Sequence, residues 1–146
     1  MKLIIACDPN GGIGYENRLP WSNIQGDLPR FKRLTETWPV IMGRNTWDSL
    51  LKKPLPNRIN LVLTSRPFDK DLCIDNIDDY TSDRHWLIGG AKLIEQCWPH
   101  INEVHLTRVY DHYTCDTFID LLYLEANFTR TWSEVFPDHR YEIWKR

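Results

Sequence analysis

Four short stretches combine residue types able to do chemistry. The first is Gly26-Asp27-Leu28-Pro29-Arg30-Phe31-Lys32-Arg33. Pro29 predicts a helix start, because proline gives up nothing in a first turn whose N–H groups have no intrahelical partner. Asp27 then stands at the helix mouth. Asp27 and Phe31 are four apart and Leu28 and Phe31 three apart, so one carboxylate lies beside two apolar side chains on a single face. A flat heteroaromatic ligand with N–H donors along one edge would suit that face. A plainer alternative makes Asp27 the cap of a surface helix whose Leu28, Phe31 and Leu34 stripe is core. The other three stretches suit anions or close backbone approach. Gly43-Arg44 opens a helix after a buried strand, where unpaired N–H groups and a guanidinium attract negative charge. Thr64-Ser65-Arg66 gathers two hydroxyls and a guanidinium. Gly89-Gly90 lets backbone approach a ligand closely.

The elements that must position these stretches are legible as continuous apolar runs. Leu3 to Cys7, Pro39 to Gly43, Arg58 to Thr64 and His85 to Gly90 read as strands, most of them buried on both faces, with Leu72 to Asp75 a shorter one. Helices are expected from Asp27, over Arg44 to Leu51, and over Ala91 to Trp98 with Leu93, Ile94, Cys97 and Trp98 inward. Glu103 to Tyr110 alternates, and Phe128 to Val135 with Tyr141 to Trp144 reads as a closing antiparallel pair. The loop from Ile13 to Trp21 is rich in Gly, Asn and Pro, so it is exposed; Trp21 at its end is either an anchor or an indole N–H offered to water or ligand. The sum is an α/β fold: a mixed, mostly parallel central sheet with helices on both faces and a C-terminal antiparallel pair. In such sheets ligands gather at the carboxyl ends of the strands, where all four stretches lie.

Composition sets the bounds. The 146 residues fit one domain spanning 1–146, with 42% hydrophobic and 26% charged residues and seven Trp that argue for packing. Trp38, Trp47, Trp86, Trp98, Trp132 and Trp144 are all expected in packing roles. A net charge of −2 offers no broad basic surface, which argues against nucleic acid or an anionic membrane as partner. Cys7, Cys73, Cys97 and Cys115 show no C-x-x-C spacing and no signal-type segment precedes them, so free, buried thiols in the cytoplasm are expected. The five histidines lack metal-ligand spacing, and no metal site is indicated.

Taken in order, the segments resemble dihydrofolate reductases of the bacterial and phage type, in a short form. The matching pieces are Ile13-Gly14-x-x-Asn17-x-Leu19-Pro20-Trp21, Asp27-Leu28-x-x-Phe31-Lys32 and Pro39-Val40-Ile41-Met42-Gly43-Arg44-x-Thr46-Trp47. They are followed by Leu55-Pro56-Asn57-Arg58, Leu63-Thr64-Ser65-Arg66, Ile88-Gly89-Gly90-Ala91, Leu106-Thr107, Asp116-Thr117 and Tyr141 to Arg146. The resemblance implies hydride transfer from NADPH to C6 of 7,8-dihydrofolate with protonation at N5, giving the tetrahydrofolate used in one-carbon metabolism and thymidylate synthesis. It implies a monomer open to antifolate inhibitors. By position, Asp27 pairs with the pterin amidine edge, Thr107 bonds that carboxylate, and Trp21 orients an active-site water. Because the reaction takes up a proton, its rate is expected to fall as pH rises.

The resemblance also assigns binding residues. Ile4, Ala6 and Ile88 meet the pterin or nicotinamide, Leu28, Phe31, Leu50 and Leu55 line the benzoyl channel, and Arg58 clamps the glutamate α-carboxylate. Ala6, Ile13, Gly14, Asn17 and Leu19 take the nicotinamide half of the cofactor. Arg44, Ser65 and Arg66 hold the adenosine 2′-phosphate, and Asn45, Thr46, Gly90, Ala91, Lys92 and Leu93 surround the pyrophosphate at two helix mouths. Gly43, Leu63, Thr64, Gly89, Ile94 and Thr117 complete the cofactor set, with the Gly89–Gly90 bond cis in the family. Ile94 stands where an aromatic is common, Asn45 replaces a frequent His or Lys, and the segments 67–86 and 116–119 are shorter than usual. Two alternatives accompany this expectation: reduction of another pterin or pyrimidine on a related fold, and a non-catalytic nucleotide-binding or structural module.

Overall fold

The computed structural model describes all 146 residues. Its centre is an eight-stranded sheet built from β1 (Lys2–Cys7), β3 (Val40–Gly43), β4 (Asn60–Leu63), β5 (Cys73–Ile74), β6 (Trp86–Leu87), β7 (Glu103–Val109), β9 (Thr129–Val135) and β10 (His139–Lys145). The order across the sheet is β5-β4-β3-β6-β1-β7-β10-β9. All pairings from β5 to β7 are parallel, and β10 runs antiparallel to both β7 and β9. Four α-helices accompany the sheet: α1 (Asp27–Thr35), α2 (Arg44–Ser49), α3 (Ala91–Cys97) and α4 (Leu121–Asn127). A small second ladder joins β2 (Gly12–Gly14) to β8 (Thr117–Phe118).

Strand alternation divides the core between two faces. On one face Leu3, Cys7, Ile41, Leu87, Val104 and Leu106 pack with Leu93, Ile94 and Cys97 of α3 and Leu124 of α4. On the other, Val40, Met42, Val62 and Trp86 pack with Trp47 of α2, and Leu34 of α1 leans against them. Helices thus cover both faces, and the parallel strands, buried on each side, read as unbroken apolar runs.

Several expectations are corrected in detail. Trp38 and Trp132 are largely exposed rather than packed. Trp132 lies on the edge strand β9, all of whose residues are exposed. Cys73 and Cys115 are only half-buried, although all four thiols are free. The supposed core stripe of α1 does not form, since Leu28 is 67% exposed, and the helix instead buries Arg30 and Thr35. The strand expected over 85–90 ends at Leu87, where the chain turns into the diglycine.

Candidate active site

Register places the site's floor. Ala6, Thr107 and Tyr141 are neighbours across β1, β7 and β10, so their side chains form one row on the sheet face that α1 covers. Gly26 precedes α1 with φ 82, a left-handed conformation that favours glycine, and the helix begins directly at Asp27. Asp27 is thereby aimed down at the row. Thr107 Oγ1 donates to Asp27 Oδ1 at 2.7 Å, while Oδ2 takes no hydrogen bond from the protein. The carboxylate is one-fifth exposed, with the Arg30 guanidinium 3.9 Å from it. Asp27 therefore sits neither in bulk water nor in a sealed core.

Around this pair the structure gathers much of the expected set. Trp21 is buried with Ile24 and Val109, Ala6 packs against that cluster, and the indole meets the Tyr113 ring edge-on at 5.5 Å. Ile4, Ile88, Leu50 and Leu55 lean on the Val40–Trp47 cluster. Phe31 is half-buried beneath Arg58, whose guanidinium donates to Thr35 Oγ1 at 2.8 Å and to the Pro56 carbonyl at 2.8 Å. Those two bonds hold one end of the fork at the far end of α1 from Asp27.

A cleft lies beside this pocket, at the carboxyl ends of β3, β4 and β6, and holds about 510 Å³. Gly43, Arg44, Asn45 and Thr46 line it where α2 begins, Leu63 closes β4, and Ile88, Gly89, Gly90, Ala91, Lys92 and Leu93 lead into α3. Ile13, Gly14, Asn17, Leu19 and Thr117 form its opposite wall. Ile5, Arg18, Ser49 and Gln96 also line it and escaped the sequence reading, because nothing in their types or spacing singled them out. The Gly89–Gly90 bond is cis. A Cβ on Gly89 would stand 3.2 Å from Thr46 Oγ1, and one on Gly90 3.3 Å from it, so side chains there would crowd the space between α2 and α3. Gly89 also has φ 132, open to glycine alone.

The opposite wall is a hairpin tip. Tyr15 and Arg18 exchange backbone bonds, and Glu16 and Asn17 both have positive φ, the geometry of a two-residue type I′ turn. Asp116 ties this tip down: its Oδ2 accepts from the Glu16 N–H at 2.9 Å and its own N–H donates to the Gly14 carbonyl at 2.9 Å. The Glu16 amide and the Thr117 hydroxyl hold the Asp116 carboxyl below its ordinary range.

Some expected residues fall elsewhere. Ile94 is 1% exposed within the core cluster and does not line the cleft, because its place in α3 turns it toward the sheet. Thr64 and Ser65 line a separate cleft of about 610 Å³ with Lys70, Asp75 and Tyr80. Arg66 lines neither; its carbonyl accepts from Arg44 Nη1 at 3.1 Å. Arg44 is further held by Asp48 at 3.1 Å and lies over the Phe68 ring at 4.5 Å.

Comparison with known proteins bears on what this arrangement does. The family model described as dihydrofolate reductase matches residues 1–143. The chain is 38% identical over 129 residues to the bifunctional dihydrofolate reductase-thymidylate synthase of Paramecium tetraurelia, covering 82% of this chain but only 28% of that longer protein. It is 32% identical to dihydrofolate reductase type 8 of Escherichia coli, covering 100% of this chain and 95% of that one. Against dihydrofolate reductase of Haemophilus influenzae the identity is 34%, over 95% of this chain and 87% of the relative.

Proposed function

Since the chain belongs to the dihydrofolate reductase family and is an enzyme that reduces dihydrofolate, we propose that NADPH is its hydride donor and that Asp27, Thr107 and Trp21 carry the substrate side of the reaction. The observation that supports this most is the short Thr107–Asp27 bond, which occupies one carboxylate oxygen and leaves the other free to meet the donor edge of a pterin. The whole span 1–146 then acts as one domain, a cytoplasmic monomer, and four free cysteines fit a reducing compartment.

The residues present suit a phosphorylated dinucleotide. Two helix starts, at Arg44 and at Ala91, point unpaired backbone N–H groups into one cleft, and Gly89 and Gly90 leave the space between them clear. Arg44, with the hydroxyls of Thr64 and Ser65 nearby along the sheet edge, would take the 2′-phosphate. Asn17, Leu19 and Gly14 would cover the nicotinamide and exclude water. When bound, the nicotinamide supplies the hydride.

On the substrate side, Phe31, Leu50 and Leu55 offer the apolar channel and Arg58 a fork for a terminal carboxylate. Asp27 Oδ2 would hold the pterin edge and favour protonation at N5. Trp21 would hold the water that brings the proton. Antifolates with a similar donor edge would compete for the same carboxylate.

The test is oxidation of NADPH in the presence of dihydrofolate, followed at the reduced-nicotinamide band, with NADH as the comparison. NADPH is expected to be the better donor by at least about tenfold in kcat/KM, the worth of one charge-assisted pair. Asp27→Asn is expected to lose at least about a hundredfold in rate at neutral pH and to recover partly in acid. An unaltered rate in that variant would remove Asp27 from the reaction, and equal use of the two donors would remove the phosphate assignment.

A further inference from the structure

Arg30 is charged, yet it is among the most buried residues of α1, at 7% exposure. Its guanidinium packs over the rings of Tyr141 at 4.2 Å and Phe136 at 5.0 Å. Nη2 lies 3.3 Å from His139 Nε2, Nη1 lies 3.5 Å from Thr107 Oγ1, and Nη1 stands 3.9 Å from Asp27 Oδ1. A guanidinium carries donors only, so it dictates the direction of every bond it joins. His139 Nε2 must therefore offer its lone pair, which puts the ring hydrogen on Nδ1, where it meets Asp138 Oδ1 at 2.7 Å. Thr107 accepts from Arg30 and has one hydrogen left, which goes to Asp27 Oδ1. A directed chain results, from Arg30 through Thr107 to Asp27 on one side and from Arg30 through His139 to Asp138 on the other.

We propose that Arg30 is a positioning residue for dihydrofolate reduction: from behind the Thr107–Asp27 pair it orients their hydrogen bond, keeps Asp27 Oδ2 as the oxygen presented to substrate, and lowers the pH at which the reaction loses rate. This rests on the assignment of Asp27 to the substrate. A fixed cation 3.9 Å from the carboxylate that meets the substrate disfavours the added positive charge of a substrate protonated at N5. Its removal extends the reaction toward alkaline pH.

The other groups facing this point do not cancel the cation. Tyr141, beneath Arg30, has its phenol pushed up to about 12 by burial, against the lowering effect of Arg30, and so stays neutral. Its hydroxyl bonds His105 Nδ1, and His105 Nε2 lies 2.7 Å from Glu103. Burial lowers the His105 imidazole below its ordinary value, although Glu103 raises it. Asp138 is spread between His139 and the Gln25 N–H, at 3.0 Å from the latter. Arg33, on the same helix, adds a second positive charge acting on Tyr141.

The experiment measures hydride transfer in single turnover across the pH scale for the parent, Arg30→Met, Arg30→Gln, Arg30→Lys and Asp27→Asn. The two neutral variants are expected to move the midpoint of the fall in rate upward by about one pH unit, and Arg30→Lys by less than about half of that. Arg30→Gln keeps a donor for His139, so one neutral variant retains the fold's internal bond. A measurement without turnover accompanies these: a 2,4-diaminopyrimidine antifolate, bound as its cation and followed by tryptophan quenching, is expected to bind both neutral variants about tenfold more tightly than the parent. Midpoints that stay in place, or a Lys variant that moves as far as the Gln variant, would overturn the proposal. If Asp27→Asn itself leaves rate and pH profile untouched, the assignment of Asp27 fails first. If Asp27→Asn loses rate while the Arg30 variants keep the parental profile, only the role of Arg30 falls.

Discussion

Trp21 buries its ring and keeps its N–H in touch with water. The residue is 6% exposed, its Nε1 has no acceptor within the protein, and no buried polar side-chain atom in the molecule lacks a partner, so the indole nitrogen must lie at a solvent-reached edge. Packing and chemistry can therefore be separated at this residue. Trp21→Phe keeps an aromatic ring against Tyr113 and removes the N–H together with part of the indole's volume. It is expected to lower kcat about tenfold, the worth of one water-mediated hydrogen bond, and to lower the melting temperature by a few degrees through the lost ring volume. A variant that lost stability but not rate would make Trp21 an anchor and nothing more. At this scale the sequence was informative about Asp27 and silent about Arg30. An Arg followed by Lys32 and Arg33 on a short helix reads as a solvated face. Only the fold reveals that Tyr141 and His139, more than a hundred positions downstream, receive it.

Among the elements, β10 carries the densest polar network away from the site. Glu142 is fully buried and accepts from Arg108 Nε at 2.9 Å, Trp144 Nε1 at 2.9 Å and Arg140 Nε at 2.6 Å, with Arg130 Nη1 at 3.3 Å. Burial alone would raise its carboxyl, but hydrogen bonds from Trp144 and Arg108 and the charges of Arg108 and Arg140 outweigh burial and hold it below the usual range. A carboxyl depressed in the folded state adds stability above its unfolded pKa, and that stability is lost as pH falls through the folded value. Glu142→Gln strands three guanidinium groups against a neutral amide. It is expected to cost about 3 kcal/mol at neutral pH, and the deficit should shrink in acid, where the parent is protonated as well. Urea unfolding at the two pH values checks this, and a deficit independent of pH would show that the charge of Glu142 contributes nothing. The strands themselves were easy to read, because sheets covered on both faces produce unbroken apolar runs such as Leu3 to Cys7 and Val40 to Met42. The edge strand β9 misled, since Trp132 looks like core to any reading based on residue type, and only its place at the sheet margin exposes it.

Across the whole molecule, the feature most legible in advance was convergence: the diglycine, the start of α2 and the end of β4 all follow strands, and parallel strands deliver their ends to one edge. Sheet order was not legible, because nothing local in Lys2 to Cys7 says that β1 lies between β6 and β7. That order is what sets the cleft beside Asp27, with β1 and β6 shared between the two. A dinucleotide in the cleft would bridge α2, α3 and the hairpin tip at Asn17, so its binding should stabilise the fold as a unit. At a hundredfold excess over Kd the gain is about 2.7 kcal/mol, which for a chain of this size is a rise of about 8 °C in melting temperature. NADPH should produce that shift without substrate, and NADH at the same concentration less than about half of it, because Arg44 would lose its phosphate partner. Intrinsic fluorescence suits the measurement, with seven Trp distributed through the fold. Equal shifts for the two nucleotides would separate Arg44 from the phosphate, and no shift with either would mean that the cleft at the diglycine is not where the cofactor binds.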